Sequence, residues 1–145
     1  MMQQGNTATF TGDKFSSEMF ADAAVDFLKS TPQDKTPFLA FVSFTSPHDP
    51  RNQLPDYGKK YTSKNITVPG NFLPQHPFDN GELDIRDELI LPPPRTTQQI
   101  QNELASYYGM VSEVDTQIGR VLEALDASGK RDNTIIVFAS DNGLA

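Results

Sequence analysis

The sequence predicts an α/β protein in which helices pack against part of a mixed or parallel sheet. Two short apolar runs, residues 38–45 and 134–140, have the composition of strands that are buried on both faces. A long stretch with helical periodicity, residues 97–128, leads directly into the second run, as a crossover helix does. Two strands do not complete such a sheet, so we expect an incomplete sheet whose exposed edges favour self-association.

Composition narrows the class of protein. The chain has 145 residues, 37% hydrophobic residues, no cysteine and a formal net charge of −7. This length fits one domain, and no apolar run approaches the roughly 20 residues that span a bilayer. The acidic balance argues against nucleic-acid binding, and the lack of cysteine excludes disulfides, zinc-thiolate sites and a cysteine nucleophile within these residues. Residues 1–6 have neither a basic nor an apolar signal-peptide region, so no signal peptide is expected there.

The first 51 residues divide into two parts. Residues 1–15 are polar and punctuated by glycine, and we predict a loosely held lead-in. Residues 16–51 predict an amphipathic helix, capped by Ser16 or Ser17, followed by the first strand. That strand ends in a loop that contains His48.

His48 is the first candidate site residue. It lies between Pro47 and Pro50, which restrict the backbone of the loop. A single histidine in a loop is most often just solvated, but ligands of open α/β sheets bind beyond the carboxyl ends of strands. The position therefore favours a functional role more than the residue type alone does.

Residues 52–95 predict a long, proline-rich loop. The segment holds seven prolines and little periodicity, and an irregular segment of this length is either functional or wrongly assigned. Its beginning is basic and its end, residues 79–88, is acidic. Gly81 comes too early for an EF-hand loop, so a substrate-facing loop and a solvated surface remain as alternatives. The basic residues are Arg51, Lys59, Lys60 and Lys64.

Residues 96–145 predict a long helix, a strand and a polar turn. Thr96 or Thr97 begins the helix, and Ser128-Gly129 ends it. Gly109 inside the helix suggests close packing at that position, since glycine weakens a helix by about 1 kcal/mol relative to alanine. A heptad coiled coil is the alternative, but the helix leads into an apolar strand, which favours the crossover.

The turn after the second strand is the second candidate site. Asp141 and Asn142 place a carboxylate and an amide oxygen side by side, and Ca²⁺ and Mg²⁺ prefer such oxygen ligands. An Asp-Asn-Gly sequence taken alone is more often an ordinary turn.

Three blocks of sequence, in this order, resemble the middle of a type I sulfatase of the alkaline phosphatase superfamily. The resemblance covers roughly residues 16–145. The blocks are Phe41-Val42-Ser43-Phe44-Thr45-Ser46-Pro47-His48-Asp49-Pro50-Arg51, then Tyr107-Tyr108-Gly109-Met110-Val111 with Asp115-Thr116-Gln117-Ile118-Gly119, and Asn133-Thr134-Ile135-Ile136-Val137-Phe138-Ala139-Ser140-Asp141-Asn142-Gly143.

The resemblance implies an alkaline phosphatase-like α/β fold and calcium-dependent hydrolysis of sulfate esters, with a sulfated carbohydrate as the expected substrate and Mg²⁺ as the alternative metal. It implies that Asp141 and Asn142 are metal ligands. It also implies that His48 contacts the sulfate near the leaving oxygen, as a hydrogen-bond donor or as the acid that protonates the leaving group. The long loop would shape substrate choice, and its candidate contacts are Arg51, His76, Asp79 and Arg86.

The chain also departs from the family pattern. Sulfatases of this type use a formylglycine made from Cys or Ser in a Cys/Ser-x-Pro-x-Arg motif, but in Ser46-Pro47 the proline comes one place too early. The family's earlier pair of metal-binding aspartates and its lysine after Asp-Asn-Gly are not found. We therefore expect an internal segment of a sulfatase, without a nucleophile and inactive alone. The resemblance alone suggests a periplasmic or extracellular location.

Two other functions remain open from the sequence. One is a non-catalytic module that binds sulfated glycans through the basic stretch between Arg51 and Lys64. The other is a phosphoesterase or phosphonate hydrolase of the same superfamily, which shares the metal turn. The Ser46-Pro47-His48-Asp49-Pro50 segment favours the sulfatase.

Overall fold

A computed structural model describes residues 3–4, 6–7, 14–31, 36–79, 81–85 and 89–143. The chain forms two compact units. Unit 1 consists of Met1–Thr45 and Asp115–Ala145, and unit 2 consists of Ser46–Val114.

Helices dominate the regular structure of the described residues. The strands are β1 (Gln3–Gln4) and β2 (Asn6–Thr7), and the helices are α1 (Ser16–Ser30), α2 (Pro55–Gly58) and α3 (Thr97–Ala127), with short 3₁₀ helices at Ser63–Asn65 and Arg131–Asn133. Strands β1 and β2 pair antiparallel. The described part of the predicted lead-in therefore contains a short antiparallel strand pair, while residues 1–2, 5 and 8–13 lie outside the described chain.

Helix α1 begins at Ser16 with Phe15 as its N-cap, so the predicted serine cap is wrong. The backbone N–H of Phe15 donates to the Glu18 carboxylate at 3.2 Å, which places an acidic side chain in the first turn instead of a serine hydroxyl. The helix ends at Ser30, and Thr31 is its C-cap.

Helix α3 forms almost over its predicted length, because its ends carry local signals. The Thr96 N–H donates to Oε1 of Gln99 at 2.8 Å, and the Gln99 N–H donates to Oγ1 of Thr96 at 3.2 Å, which is a reciprocal capping box. At the other end, Gly129 adopts a φ of 71° and its N–H donates to the carbonyl of Asp126 at 3.0 Å.

The two predicted strands do not form, and this part of the fold prediction is not confirmed. Residues 38–45 and 134–140 have no strand pairing within the described chain. Leu39, Phe41 and Ile135 are 90%, 86% and 92% exposed, so burial on both faces is wrong for this chain. A strand needs neighbouring strands to pair its N–H and C=O groups, and β propensity alone does not replace them.

Unit 2 includes the predicted loop, residues 52–95, whose described part is not entirely irregular. Besides α2 and the 3₁₀ helix, two long-range hydrogen bonds fix it to the N-terminal half of α3. Nε2 of Gln101 donates to the carbonyl of the buried Ile66 at 2.8 Å. The hydroxyls of Tyr61 and Ser112 hydrogen-bond at 2.8 Å. Among the described residues, no helix is long and apolar enough to cross a bilayer.

Candidate functional site

His48 lies in an exposed loop of unit 2. Its Nδ1 is 3.0 Å from the backbone carbonyl oxygen of Asp49. A carbonyl oxygen only accepts, so Nδ1 is the donor and carries a proton. The neutral ring then has its lone pair on Nε2, which is the nitrogen left for contact with a substrate.

Arg51, three residues later, is held by groups of unit 2. Its Nη2 lies 3.3 Å from a carboxylate oxygen of Asp49, and its Nη1 lies 3.5 Å from a carboxylate oxygen of Glu103 on α3. The guanidinium carbon is 5.6 Å from the ring centre of Tyr107. The Arg51 side chain is only 19% exposed, so its predicted role as a substrate contact competes with partners that it already has.

Two of the other basic residues of this region, Lys59 and Lys60, also have neighbours that compensate their charge. Nζ of Lys59 donates to Asp56 at 2.7 Å, and this hydrogen bond lowers the pKa of the Asp56 carboxyl below its ordinary value of 3.8. Nζ of Lys60 lies 4.9 Å from the ring centre of Tyr57. The basic stretch is therefore less available to an anionic ligand than its sequence suggests.

His76 and Asp79 line one cavity of about 280 Å³ in unit 2. A second cavity of about 170 Å³ shares His76 with the first and adds Arg95. The Asp79 carboxylate accepts the N–H of Gly81 at 2.8 Å, which fixes its orientation. The first cavity is lined by Gln75, His76, Pro77, Phe78, Asp79, Leu83 and Pro93, and the second by Asn71, Leu73, Gln75, His76, Pro77 and Arg95.

The structure thus brings two of the four predicted loop contacts together. Arg51 is elsewhere in unit 2, and Arg86 lies outside the described residues. Two further lining residues, Phe78, which is 68% exposed, and Arg95, were not predicted from the sequence. Both could have been found in the sequence, since Phe78 lies between the predicted contacts His76 and Asp79, and Arg95 directly follows the triple proline.

Asp141 and Asn142 form an exposed turn in unit 1, whereas His48 belongs to unit 2. The Asn142 N–H donates to Oδ1 of Asp141 at 3.1 Å, and the Ser140 hydroxyl donates to the carbonyl of Asn142. These oxygens suit Ca²⁺ chemically, but Ca²⁺ takes about six to eight oxygen ligands. The described residues contain no cluster of three or more His, Asp or Glu, so the turn does not by itself make a site.

Comparison with known proteins places the chain in a family. The model of the Sulfatase family matches residues 2–145. The chain belongs to the sulfatase family. This membership confirms the resemblance found in the sequence, implies an alkaline phosphatase-like α/β fold, and supports hydrolysis of sulfate esters as the family activity.

Several curated relatives are sulfatases. An arylsulfatase of Klebsiella aerogenes is 29% identical over 97% of this chain, and an ulvan-active sulfatase of Formosa agariphila is 33% identical over 90%. The human iduronate 2-sulfatase is 33% identical over 92%. The alignments cover 33%, 22% and 26% of these relatives, so the chain spans a third of their length or less. No solved structure matches the chain at a significant level.

Proposed function

We propose that this chain is the segment of a sulfatase that supplies a sulfate-contacting histidine and part of a metal site, for hydrolysis of a sulfated carbohydrate. The observation that carries the proposal is the match of the Sulfatase family model to residues 2–145. Carbohydrate substrates are supported by relatives whose names refer to ulvan and iduronate.

In this proposal, His48 acts through Nε2. Because Nδ1 donates to the Asp49 carbonyl, only a protonated ring carries a second proton, on Nε2. That proton moves to the ester oxygen as its bond to sulfur breaks, so the leaving group departs as an alcohol and the ring becomes neutral. With the ring neutral, Nε2 can only accept a hydrogen bond.

Asp141 and Asn142 would hold Ca²⁺, with Mg²⁺ as the alternative, together with ligands that the described residues do not supply. The bound cation supplies a Lewis acid for the sulfate oxygens. The nucleophile, a formylglycine by family resemblance, also has no counterpart among these residues, since the chain has no cysteine and no Ser-x-Pro-x-Arg. By the same resemblance, the whole protein would act in the periplasm or outside the cell.

The cavities around His76 provide the proposed sugar contacts. Phe78 offers an exposed ring for stacking on a sugar, and Asp79 offers a fixed carboxylate that accepts hydrogen bonds from hydroxyls. Arg95 adds a positive charge in the adjoining cavity. The combination suits a sugar that carries an anionic substituent.

The first experiment measures hydrolysis of p-nitrophenyl sulfate by the 145-residue chain with excess Ca²⁺. We expect no turnover, because the nucleophile and most metal ligands are missing. Turnover that disappears with His48→Ala would refute this expectation of inactivity.

The second experiment reads the coding sequence upstream of Met1. A Cys/Ser-x-Pro-x-Arg motif there would support the proposal, and the longer protein should then hydrolyse aryl sulfates. In it, His48→Ala should lower kcat by about 100-fold or more, the usual effect of removing a general acid. An unchanged kcat would exclude His48 from the reaction.

The alternative of a non-catalytic glycan-binding module receives less support. Arg51 and Lys59 are paired with carboxylates of their own neighbourhood, which leaves less charge for a sulfated ligand. Binding of heparin by the chain at low salt, weakened by modest added salt, would favour this module. The phosphoesterase alternative is also less favoured, because the relatives described above are named as sulfatases.

A further inference from the structure

The sequence marks Arg51 as a substrate contact, but its surroundings indicate another role. Its guanidinium bridges two carboxylates, one on the His48 loop at Asp49 and one on α3 at Glu103, at 3.3 Å and 3.5 Å. It also lies over the ring of Tyr107, one turn further along the same helix. Three contacts from two segments define the position of this side chain better than any single ion pair would.

Burial strengthens this interpretation. The side chains of Arg51 and Asp49 are 19% and 20% exposed, so their attraction is screened less than that of a surface pair. Nε of Arg51 is buried without a hydrogen-bond partner among the described residues. Burying an unpaired N–H is unfavourable, and the ion pairs and the aromatic contact must offset that cost.

The bridge reaches His48 through Asp49, the residue that directly follows the histidine. Asp49 uses its carboxylate to bind Arg51 and its backbone carbonyl to accept the hydrogen bond from Nδ1 of His48. Fixing the Asp49 side chain restricts the backbone of the same residue, and the carbonyl that sets the proton position on the imidazole is part of that backbone. The geometry therefore connects α3, Arg51, Asp49 and His48 in one chain of contacts.

We propose that Arg51 is a positioning residue. It anchors the Asp49 backbone to α3, and thereby holds the His48 ring in the form with its proton on Nδ1 and with Nε2 directed to the substrate's leaving oxygen. The benefit for catalysis rests on the proposed function, but the control of the ring does not. A sulfatase would gain from this arrangement because a general acid must present a defined nitrogen to the departing oxygen.

The test is a long-range ¹H–¹⁵N spectrum of the ring nitrogens in the 145-residue chain at about pH 9, where histidines are normally neutral. Protonated and unprotonated nitrogens resonate far apart, so the spectrum reports which nitrogen carries the proton. The chain has two histidines, and His76 is an internal control outside the proposed contacts. Wild-type protein should show His48 with the Nδ1 proton as the dominant form.

Arg51→Ala should reduce the ratio of the Nδ1-protonated tautomer to the Nε2-protonated tautomer of His48 by about fivefold, which is the change expected when one ordinary hydrogen bond is lost. Glu103→Gln, which removes the anchor on α3 without touching the loop, should shift the ratio in the same direction. Arg51→Lys keeps the charge but has one donor nitrogen instead of the planar fork whose two nitrogens face Asp49 and Glu103, so it should restore the ratio only in part. Lys64→Ala, a basic residue of the same region without these contacts, should leave it unchanged.

Two results would overturn the proposal. One is a His48 spectrum that is unchanged in both Arg51→Ala and Glu103→Gln. The other is an equal change at His48 and His76, because that would report general loss of structure. The spectra do not measure turnover, so their outcome does not depend on whether the sulfatase proposal is correct. That proposal is tested by the kinetics of His48→Ala in the longer protein.

Discussion

At the residue scale, the lack of a side chain at Gly109 allows Gln53, a loop residue, to pack directly against α3. A Cβ at this buried position would lie 1.9 Å from Oε1 and 3.3 Å from Cβ of Gln53. Both residues belong to unit 2. The helical pattern predicted close packing at Gly109, but it did not indicate that Gln53 is the neighbour, since that contact joins residues far apart in the chain.

Gly109→Ala should therefore lower the free energy of unfolding by up to about 1 kcal/mol in a denaturant titration, because the new Cβ displaces the Gln53 side chain, whose flexible end lies nearest and can rotate away at small cost. Gly119→Ala is the matched control in the same helix. A Cβ there meets nothing within 4 Å, so this variant should gain up to about 1 kcal/mol from helix propensity. Combining Gly109→Ala with Gln53→Ala should recover part of the loss, and equal effects of the two glycine variants would contradict the packing argument.

The Asp141-Asn142 turn leads to a prediction about metal affinity. Its side chains are exposed, and one oxygen of Asp141 already accepts a backbone N–H. Because Ca²⁺ requires about six to eight oxygens, we expect weak or no binding in calorimetry with CaCl₂. Tight binding that Asp141→Ala abolishes would show that the chain holds a complete site. Glu123→Ala, an exposed carboxylate on α3, is the control for non-specific attraction.

The candidate site was only partly predictable from the residues. His48 and the Asp141-Asn142 turn can be recognised from neighbouring residues in the sequence. Prolines flank the His48 loop, and a glycine follows Asn142. The partners of Arg51 could not be predicted in this way, because Glu103 and Tyr107 come from a helix some 50 residues later and show no local signal.

At the element scale, an ion cluster joins α1 to the second half of α3 within unit 1. Asp22 on α1 accepts a hydrogen bond from Lys14 at 2.6 Å and pairs with Arg120 on α3. The hydrogen bond from Lys14, followed by that from Arg120, lowers the pKa of the Asp22 carboxyl below 3.8. The charged carboxylate is thus favoured in the folded state.

The pH dependence follows from this direction. Because the pKa of Asp22 is lower when the protein is folded, the stabilisation is fully present above pH 3.8 and disappears as the pH falls through the folded-state pKa. Asp22→Asn should lower Tm at neutral pH. The loss in the free energy of unfolding should be at most about 1 kcal/mol, since the carboxylate is partly exposed, and it should be much smaller near about pH 2. Circular dichroism melts across pH would show this.

Asp26→Asn on the same helix is the control. The Asp26 carboxylate is exposed and has no ion-pair or hydrogen-bond partner among the described residues, so its substitution should change Tm little at either pH. A loss in Asp22→Asn that is the same at both pH values would argue against the ion cluster as its cause.

The elements also differ in how far sequence determines them. Both long helices were predictable within a few residues, because their apolar periodicity is encoded within the helix itself, and α3 also carries local cap signals at Thr96 and Gly129. The strands at 38–45 and 134–140 were not, since strand formation depends on hydrogen bonds to other segments. Family membership implies an α/β sheet, yet the described residues provide no neighbours for these two runs.

At the scale of the whole molecule, the unpaired apolar runs are the dominant surface feature. In unit 1, Phe41, Val137 and Phe138 are 86%, 83% and 81% exposed, in addition to Leu39 and Ile135. Soluble monomers rarely expose contiguous apolar patches of more than a few hundred Å², and unpaired strand-like segments are templates for pairing with another chain. The relatives, of which the chain spans a third or less, have further residues available to cover such segments.

We therefore expect the isolated chain to self-associate, and sedimentation velocity should show species larger than the 16.1 kDa monomer that increase with concentration. The double variant Phe41→Lys with Val137→Lys should shift the distribution toward the monomer, because charges on both runs oppose edge-to-edge pairing. Leu89→Lys, at a 55% exposed leucine outside these runs, should leave association unchanged. A wild-type chain that stays monomeric, or a Leu89→Lys variant that dissociates equally well, would show that the two runs do not drive association.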